Sequence, residues 1–320
     1  VSDPHEIANV LGMEGVSFML ENAAQVPFYF HFGAPSCVPA TSFETAGAEL
    51  DVAAVKLLLQ NDAIGYLSEM MNYPGVLQQE ATVMEKMAAA HALGKPVDGH
   101  APGLRGEAAQ RYFAAGISTD HECYSLEEAV EKAALGVKIL IREGSAARNF
   151  DALHPLLQSH PEAVMFCSDD KHPDELLLGH INKIAARAVA LGYDLFDVLQ
   201  AACLHPVDHY GMKCGKLRVG DPADFILVHD LTHFDVLATY IQGEAVFSGG
   251  QTHFTLPEVT PKNQFVSYQL SPDALRVPEN IQKVRVIEAL DGQLITRSQW
   301  YDLHQLGPVE AWHTHDILKL

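Results

Sequence analysis

Four polar side chains each follow a short strand-like segment of the chain: Glu69, His100, His121 and Asp169. Carboxylates and imidazoles together are the ligand mix that binds divalent Zn, Mn or Fe. Taken singly, each residue has an ordinary alternative role as a helix cap, a turn residue or a core histidine. In a parallel α/β protein, however, the C-terminal ends of the strands meet at one edge and line the active site. The four residues in this order therefore predict a metal site.

Short apolar segments alternate with helical patterns over the first two-thirds of the chain. Residues 28–32, 63–67, 137–141 and 164–167 are strand candidates that are apolar on both faces, as in a covered parallel sheet. Helical patterns such as 51–60 and 181–191 separate them. This alternation predicts a parallel α/β architecture, either a barrel or an open sheet.

The clearest helix starts after Ser125, whose hydroxyl can cap it. Glu128 follows three residues later and would complete a capping box. Gly136 is the expected end of this helix, and Val137 opens the next strand.

The pattern changes after residue 205. Glycine, proline and short strands, such as 225–228 and 236–241, predict a small β domain over 206–250. Residues 251–283 are richer in proline and polar groups and are interpreted as a linker. The segment 284–296 predicts a hairpin with Asp291 and Gly292 as its turn, within a further domain that starts in 284–320.

Composition excludes several classes of function. The 320 residues carry 21 Lys plus Arg and 41 Asp plus Glu, a formal net charge of −20, which disfavours nucleic acid as a partner. No apolar run approaches the roughly 18 residues of a membrane span. The first residues show no secretory pattern, so a soluble, cytoplasmic protein is expected.

Several established motifs are absent from the sequence. The five cysteines are scattered without a C-x-x-C pair, which speaks against both a disulfide framework and a thiolate zinc site. The segment at His5 and Glu6 lacks the second histidine of H-E-x-x-H. Neither a P-loop nor a dinucleotide-binding glycine motif occurs, so nucleotide-phosphate binding has no support.

The Glu, His, His, Asp series on successive strands resembles the amidohydrolase superfamily, whose fold is a (β/α)8 barrel with a mono- or dinuclear metal centre. More specifically, the chain is similar to the bacterial adenine deaminase family. The stretches that carry this resemblance are 3–12, 35–40, 69–75, 97–103, 116–122, 141–145 and 169–173. The resemblance implies a TIM-like barrel over 1–205 with a small β domain.

One feature departs from the superfamily pattern. Amidohydrolases carry an H-x-H pair at the end of the first barrel strand, and no such pair precedes the Glu69 series here. The chain is therefore expected to begin at the end of the second strand. We expect an internal fragment that lacks the first strand and the C-terminal domain.

The resemblance implies hydrolysis of adenine to hypoxanthine and ammonia, a purine-salvage reaction. It also implies a divalent metal cofactor, a dinuclear Mn or Fe centre with Zn as the alternative. By analogy Glu69 bridges two metals, His100 and His121 bind one of them, and Asp169 lies beside the attacking hydroxide. The metal shell implied for this chain is Glu69, His100, His121 and Asp169. Glu122, Asp169 and Asp170 are candidates for moving protons, and Arg142, Glu143 and Ser145 for contacting the base.

Two other interpretations stay open. A related amidohydrolase could open a cyclic amide, but such enzymes often use a carboxylated lysine at the fourth strand, where this chain has Glu69. Alternatively, the chain is a non-catalytic metal-binding fragment or assembly subunit, which the missing H-x-H pair supports. The partners expected are adenine and further copies of the chain in a homo-oligomer, with neither nucleic acid nor membrane.

Overall fold

The computed structural model describes residues 1–41, 43–278, 280–291 and 295–318. The chain forms two units. The first comprises residues 1–144 and 149–264, and the second comprises residues 145–148 and 265–320. Within the described ranges, no helix is both long and apolar enough to span a membrane.

Six parallel strands organise the first unit. They are β1 (Phe32–Ala34), β2 (Ile64–Met70), β3 (Val97–Gly99), β4 (Thr119–Asp120), β5 (Lys138–Arg142) and β6 (Val164–Cys167). The strands pair in chain order within the sheets β1-β2-β3 and β4-β5-β6. The amide of Ser118 donates to the carbonyl of Val97 at 3.0 Å and so links β3 to the start of β4. Ser2 pairs in parallel with Phe32, ahead of β1.

Helices separate these strands and cover them. The helices are α1 (His5–Leu11), α2 (Met13–Ala23), α3 (Val52–Leu59), α4 (Tyr73–Leu77), α5 (Ala81–Ala92), α6 (Gly106–Ala114), α7 (Leu126–Ala133), α8 (Phe150–Leu153), α9 (Leu156–Ser159), α10 (Pro173–Leu176), α11 (Ile181–Ala190), α12 (Leu195–Leu199) and α13 (His205–Tyr210). A π-helical turn, Gln200–Leu204, joins α12 to α13. Strand residues such as Ile64, Val97 and Ile139 are fully buried, as expected for a sheet covered by helices.

An antiparallel sheet follows α13 in the same unit. Its strands are β7 (Phe225–Val228), β8 (Val236–Ile241), β9 (Glu244–Ser248) and β10 (Gln251–Thr252), in the order β10-β9-β8-β7. The predicted strands 225–228 and 236–241 are found with those bounds. The domain boundaries predicted at 205, 250 and 283 remain predictions.

The second unit contains a hairpin. Strands β11 (Lys283–Ala289) and β12 (Thr296–Asp302) pair in antiparallel register, with Ala289 opposite Thr296. A short helix α14 (Leu303–Leu306) follows. A hairpin is therefore found, but its second strand begins at Thr296, where the predicted hairpin ends, so the predicted extent 284–296 is wrong. Part of the predicted turn at Asp291 and Gly292 lies outside the described residues.

Two local expectations are corrected. The strand predicted over 28–32 begins only at Phe32, because Phe32 is the first residue of that run to pair, with Ile64, while Phe28 and Phe30 are exposed. Ser125 caps α7 as predicted, since its hydroxyl accepts from the Glu128 amide at 3.3 Å. The capping box is only half formed, because the Glu128 carboxylate is held by Lys132 at 2.6 Å.

The fold supports one prediction about pH. His209 on α13 is half-buried, with Nε2 3.2 Å from the Ser118 hydroxyl. Burial, and then the charge of Lys138, lower the pKa of His209 from 6.5 to about 4. The folded state therefore resists protonation, so this contribution to stability is complete above pH 6.5 and is lost as the pH falls towards 4.

As the pH falls from 6.5 to 4, we expect the unfolding free energy of the wild type to decrease by about 1–2 kcal/mol more than that of His209→Gln, after allowance for solvent screening. Urea midpoints measured above pH 6.5 and near pH 4 check this. His229→Gln replaces a histidine whose side chain is 71% exposed and serves as the control for His209→Gln. An equal loss of stability in the wild type and His209→Gln would show that His209 does not resist protonation.

Candidate metal centre

The four predicted ligands lie at the C-terminal ends of their strands. Glu69 is the penultimate residue of β2, and His100 and His121 directly follow β3 and β4. Asp169 comes two residues after β6, with a φ of 51° that aspartate tolerates better than most residues. Because the strands are parallel and neighbouring, these ends converge at one edge.

Glu69 is the centre of the group. Its Oε2 lies 2.9 Å from Nδ1 of His100 and 3.1 Å from Nε2 of His121. Nε2 of His121 also lies 3.5 Å from Oδ2 of Asp169. The sequence-predicted ligands are thus brought together, with His121 in contact with both carboxylates.

Backbone contacts hold Glu69 and His100 in place. The Tyr112 hydroxyl accepts a hydrogen bond from the amide of His100 at 3.0 Å and donates to the carbonyl of Met70 at 2.8 Å. The Ser36 hydroxyl donates to the carbonyl of Glu69 at 2.5 Å. Contacts from α6, β2 and the segment after β1 therefore hold the backbone of the two ligands in place. This reduces the ordering that metal binding requires.

Glu122 and Arg142 also contact the predicted ligands. Oε1 of Glu122 lies 3.3 Å from Nε2 of His121 and 3.6 Å from Nδ1 of His100. The guanidinium of Arg142, which is 3% exposed, pairs with Glu122 and lies 2.5 Å from Oδ2 of Asp169. Arg142 is therefore anchored between two candidate proton-moving carboxylates, while its predicted contact with substrate remains a prediction.

The charges of the site compensate one another. Burial would raise the pKa of Glu69, but hydrogen bonds from His100 and His121 hold it well below its ordinary value. Burial would lower the pKa of His121, but Glu122 and Glu69 raise it well above the ordinary value. Burial likewise opposes ionisation of Glu122, yet His121 and Arg142 lower its pKa to about 2. Glu69 and Glu122 are therefore ionised, and His121 carries a proton that a bound cation would displace.

Sequence reasoning missed three polar residues at the start of the chain. Nδ1 of His5 lies 3.0 Å from Oδ2 of Asp3 and 3.5 Å from Oε1 of Glu69, and its Nε2 lies 2.9 Å from Glu6. These residues follow Ser2, which pairs with Phe32 of β1, so they lie at the same edge of the sheet. That pairing is a long-range contact, and no local pattern in residues 1–6 indicates it.

The other predicted residues have different surroundings. Asp170 is exposed, and burial of its carboxyl followed by the charge of Asp169 raises its pKa. The Glu143 carboxylate lies 2.6 Å from Arg187 and accepts from the Phe150 amide at 3.3 Å. Ser145 belongs to the second unit, where its carbonyl accepts from Arg148 at 3.3 Å. Their roles in proton transfer and base contact remain predictions.

The donor set fits a divalent cation. Ligand atoms of Glu69, His100 and His121 lie within 4.8 Å of one another, as do those of His121, Glu122 and Asp169. Asp3, His5 and Glu69 form a third such group. Imidazole nitrogens and carboxylate oxygens suit Zn, Mn and Fe, and these three groups include no thiolate.

Comparison with known families agrees with this geometry. The profile of the Amidohydrolase family matches residues 1–246. The chain belongs to the amidohydrolase family. The predicted fold class, an amidohydrolase-type barrel with a small β domain, is thereby confirmed.

Two curated relatives of this amidohydrolase are adenine deaminases. The chain is 56% identical over 296 residues to an adenine deaminase of Salinibacter ruber, covering 92% of this chain and 54% of the relative. It is 52% identical over 309 residues to the adenine deaminase of Methanosarcina mazei, covering 92% of this chain and 56% of the relative. The predicted resemblance to adenine deaminases is confirmed, and the chain spans about half the length of these relatives.

Solved structures share the fold of this amidohydrolase. A β-aspartyl dipeptidase of Fervidobacterium islandicum AW-1 aligns with a TM-score of 0.54 at 15% identity, covering 76% of this chain and 72% of the dipeptidase. The N-acetylglucosamine-6-phosphate deacetylase of Pasteurella multocida aligns with a TM-score of 0.53 at 17% identity, covering 73% of this chain and 72% of the deacetylase. At such low identity the likeness establishes the architecture alone.

Proposed function

We propose that the protein to which this chain belongs is a metal-dependent adenine deaminase, converting adenine and water to hypoxanthine and ammonia. One observation carries this proposal. Glu69 places one oxygen within 2.9 Å of His100 and 3.1 Å of His121, so the predicted ligands converge. The 56% identity to an adenine deaminase supports adenine as the substrate of this site.

The proposed metal centre is dinuclear and contains Mn or Fe, with Zn as an alternative. It would be held by Glu69, His100, His121 and Asp169. A bound divalent cation supplies Lewis-acid activation of water at neutral pH. Glu69 suits a bridging role because its two oxygens face different partners. Oε2 contacts His100 and His121, whereas Oε1 faces His5 at 3.5 Å.

Deamination requires proton transfer to the ring nitrogen and to the departing ammonia. Glu122, Asp169 and Asp170 are the candidate carriers. Glu122 has the support of geometry, because its carboxylate contacts His121 and Arg142 within the ligand group. Arg142, Glu143 and Ser145 are the proposed base contacts.

Further properties belong to the same proposal. We propose a cytoplasmic purine-salvage enzyme that forms homo-oligomers and binds neither nucleic acid nor membrane. The −20 net charge supports the exclusion of nucleic acid. The division into barrel 1–205, β domain 206–250, linker 251–283 and further domain 284–320 is proposed with it.

Ammonia release from adenine tests the function. The full-length gene product, loaded with Mn²⁺, should release ammonia and hypoxanthine in equal amounts, and chelator should stop both. Dihydroorotate serves as the cyclic-amide comparison. Hydrolysis of dihydroorotate with adenine untouched would favour the cyclic-amide alternative, and metal retained with no ammonia would favour the non-catalytic one.

A further inference from the structure

Three ionisable side chains are buried next to the segments that carry the two histidine ligands. Lys132 and Asp120 are 0% exposed, and Glu128 is 1% exposed. A buried charge is costly unless it is paired and hydrogen-bonded. The partners of these three groups therefore indicate what the arrangement does.

Lys132 uses all three of its ammonium protons. Its Nζ lies 2.6 Å from Oδ2 of Asp120, 2.6 Å from Oε1 of Glu128 and 2.7 Å from the carbonyl of Ala101. An ammonium has three donors and no acceptor, so no capacity is left for another ligand. Burial favours the neutral amine, but Asp120 and Glu128 outweigh it and raise the pKa of Lys132.

The partners of Lys132 are neighbours of both histidine ligands. Ala101 directly follows His100, and Asp120, the last residue of β4, directly precedes His121. Oδ1 of Asp120 accepts from the amide of Glu122 at 2.9 Å, so the backbone on both sides of His121 is tied to one carboxylate.

Glu128 repeats this double attachment. Its Oε1 accepts from the amide of Gly103 at 2.9 Å, in the loop after His100. Its Oε2 accepts from the amide of Tyr124 at 3.4 Å, in the loop after His121. Lys132, Asp120 and Glu128, here called the triad, thus link the loops after β3 and β4 through the ammonium group of Lys132.

A metal is a poor alternative occupant for this triad. Ligand atoms of Asp120, Cys123 and Glu128 lie close enough together to suggest a cation site. The ammonium of Lys132 already contacts both carboxylates at 2.6 Å and would repel a metal. The cluster is therefore satisfied by the protein itself.

We propose that Lys132 is a positioning residue for the metal centre: it fastens the His100 loop to the His121 loop and so sets the separation of the two imidazoles. This inference rests on the proposed metal-dependent function. The centroids of the His100 and His121 rings are 5.5 Å apart, with 71° between the ring planes, and this is the arrangement that Lys132 would maintain.

Binding of Co²⁺ to Lys132→Met in the full-length protein tests the inference. Loss of an outer partner of metal ligands typically lowers metal affinity or activity about 10- to 100-fold. We expect Lys132→Met to bind Co²⁺ more weakly by that factor and to change its visible d–d absorption spectrum. Lys56→Met, which removes an exposed pair with Glu85, should leave affinity and spectrum unchanged.

A second variant covers the case in which Lys132→Met fails to fold. Glu128→Gln keeps the shape of the side chain and the Lys132–Asp120 pair, and should weaken Co²⁺ binding several-fold with an altered spectrum. Val55→Ala, in the core of α3, lowers stability without touching either loop and should leave the spectrum unchanged.

The outcomes separate the two claims. Wild-type affinity and spectrum in Lys132→Met, or in Glu128→Gln if only that variant folds, would overturn the positioning role while leaving the metal centre intact. A wild-type protein that binds no Co²⁺ would overturn the proposed function and, with it, this inference.

Discussion

We expect Glu69→Gln to abolish the proposed release of ammonia from adenine and to deprive the protein of its metal. Glu69 contacts both histidine ligands through one carboxylate oxygen, at 2.9 and 3.1 Å. An uncharged amide cannot supply the negative charge that a divalent cation requires. We expect a loss larger than the roughly 10- to 100-fold that partners outside the ligand set cost. Metal analysis and ammonia release measure it.

Glu85→Gln is the matched control, because Glu85 is a 58% exposed carboxylate that pairs with Lys56. It should keep wild-type metal content and activity. His121→Ala should reproduce the loss seen in Glu69→Gln, since His121 contacts both Glu69 and Asp169. Full activity in either ligand variant would refute the ligand assignment.

Replacing Arg142 with methionine should produce the largest loss of stability. The Arg142 side chain is 3% exposed and pairs with Glu122, which is 8% exposed, and with Asp169. Removing one partner of a buried ion pair costs about 3–5 kcal/mol, because the remaining charge is left without compensation. His121 and solvent near Asp169 offset part of this cost, so we expect about 3 kcal/mol.

Urea unfolding of the metal-free protein measures that change. Arg187→Met is the matched control, since Arg187 is 42% exposed in its pairs with Glu143 and Asp151. Surface pairs of this kind contribute little. An equal, small effect of both substitutions would show that Arg142 does not hold the two carboxylates together.

The strand ends were predictable because their signal is local. Apolar runs such as 164–167, followed by a polar residue, mark the edge where a parallel sheet presents ligands, and Asp169 lies there. Ser125 was predictable as a cap for the same reason, since a cap and its helix are neighbours in sequence.

What the sequence could not provide are long-range partners. The sequence indicates Arg142 as a substrate contact, which stays a prediction, but it does not reveal the ion pairs of Arg142 with Glu122 and Asp169, which lie at two other strand ends. Glu128 fits a capping box by spacing, but the buried Lys132 attracts its carboxylate. The incomplete H-E-x-x-H motif gives no information about His5 as a neighbour of Glu69, because that position follows from the long-range pairing between Ser2 and β1.

We propose that Glu69, His100, His121 and Asp169 surround a shared cation. Anomalous diffraction at the absorption edge of the bound metal, from crystals of the full-length protein, would locate that cation. We expect a peak within about 2.0–2.2 Å of a Glu69 oxygen and of the His100 and His121 nitrogens, with Asp169 beside it. A metal peak elsewhere, with these four side chains directed away from it, would refute the proposed metal site.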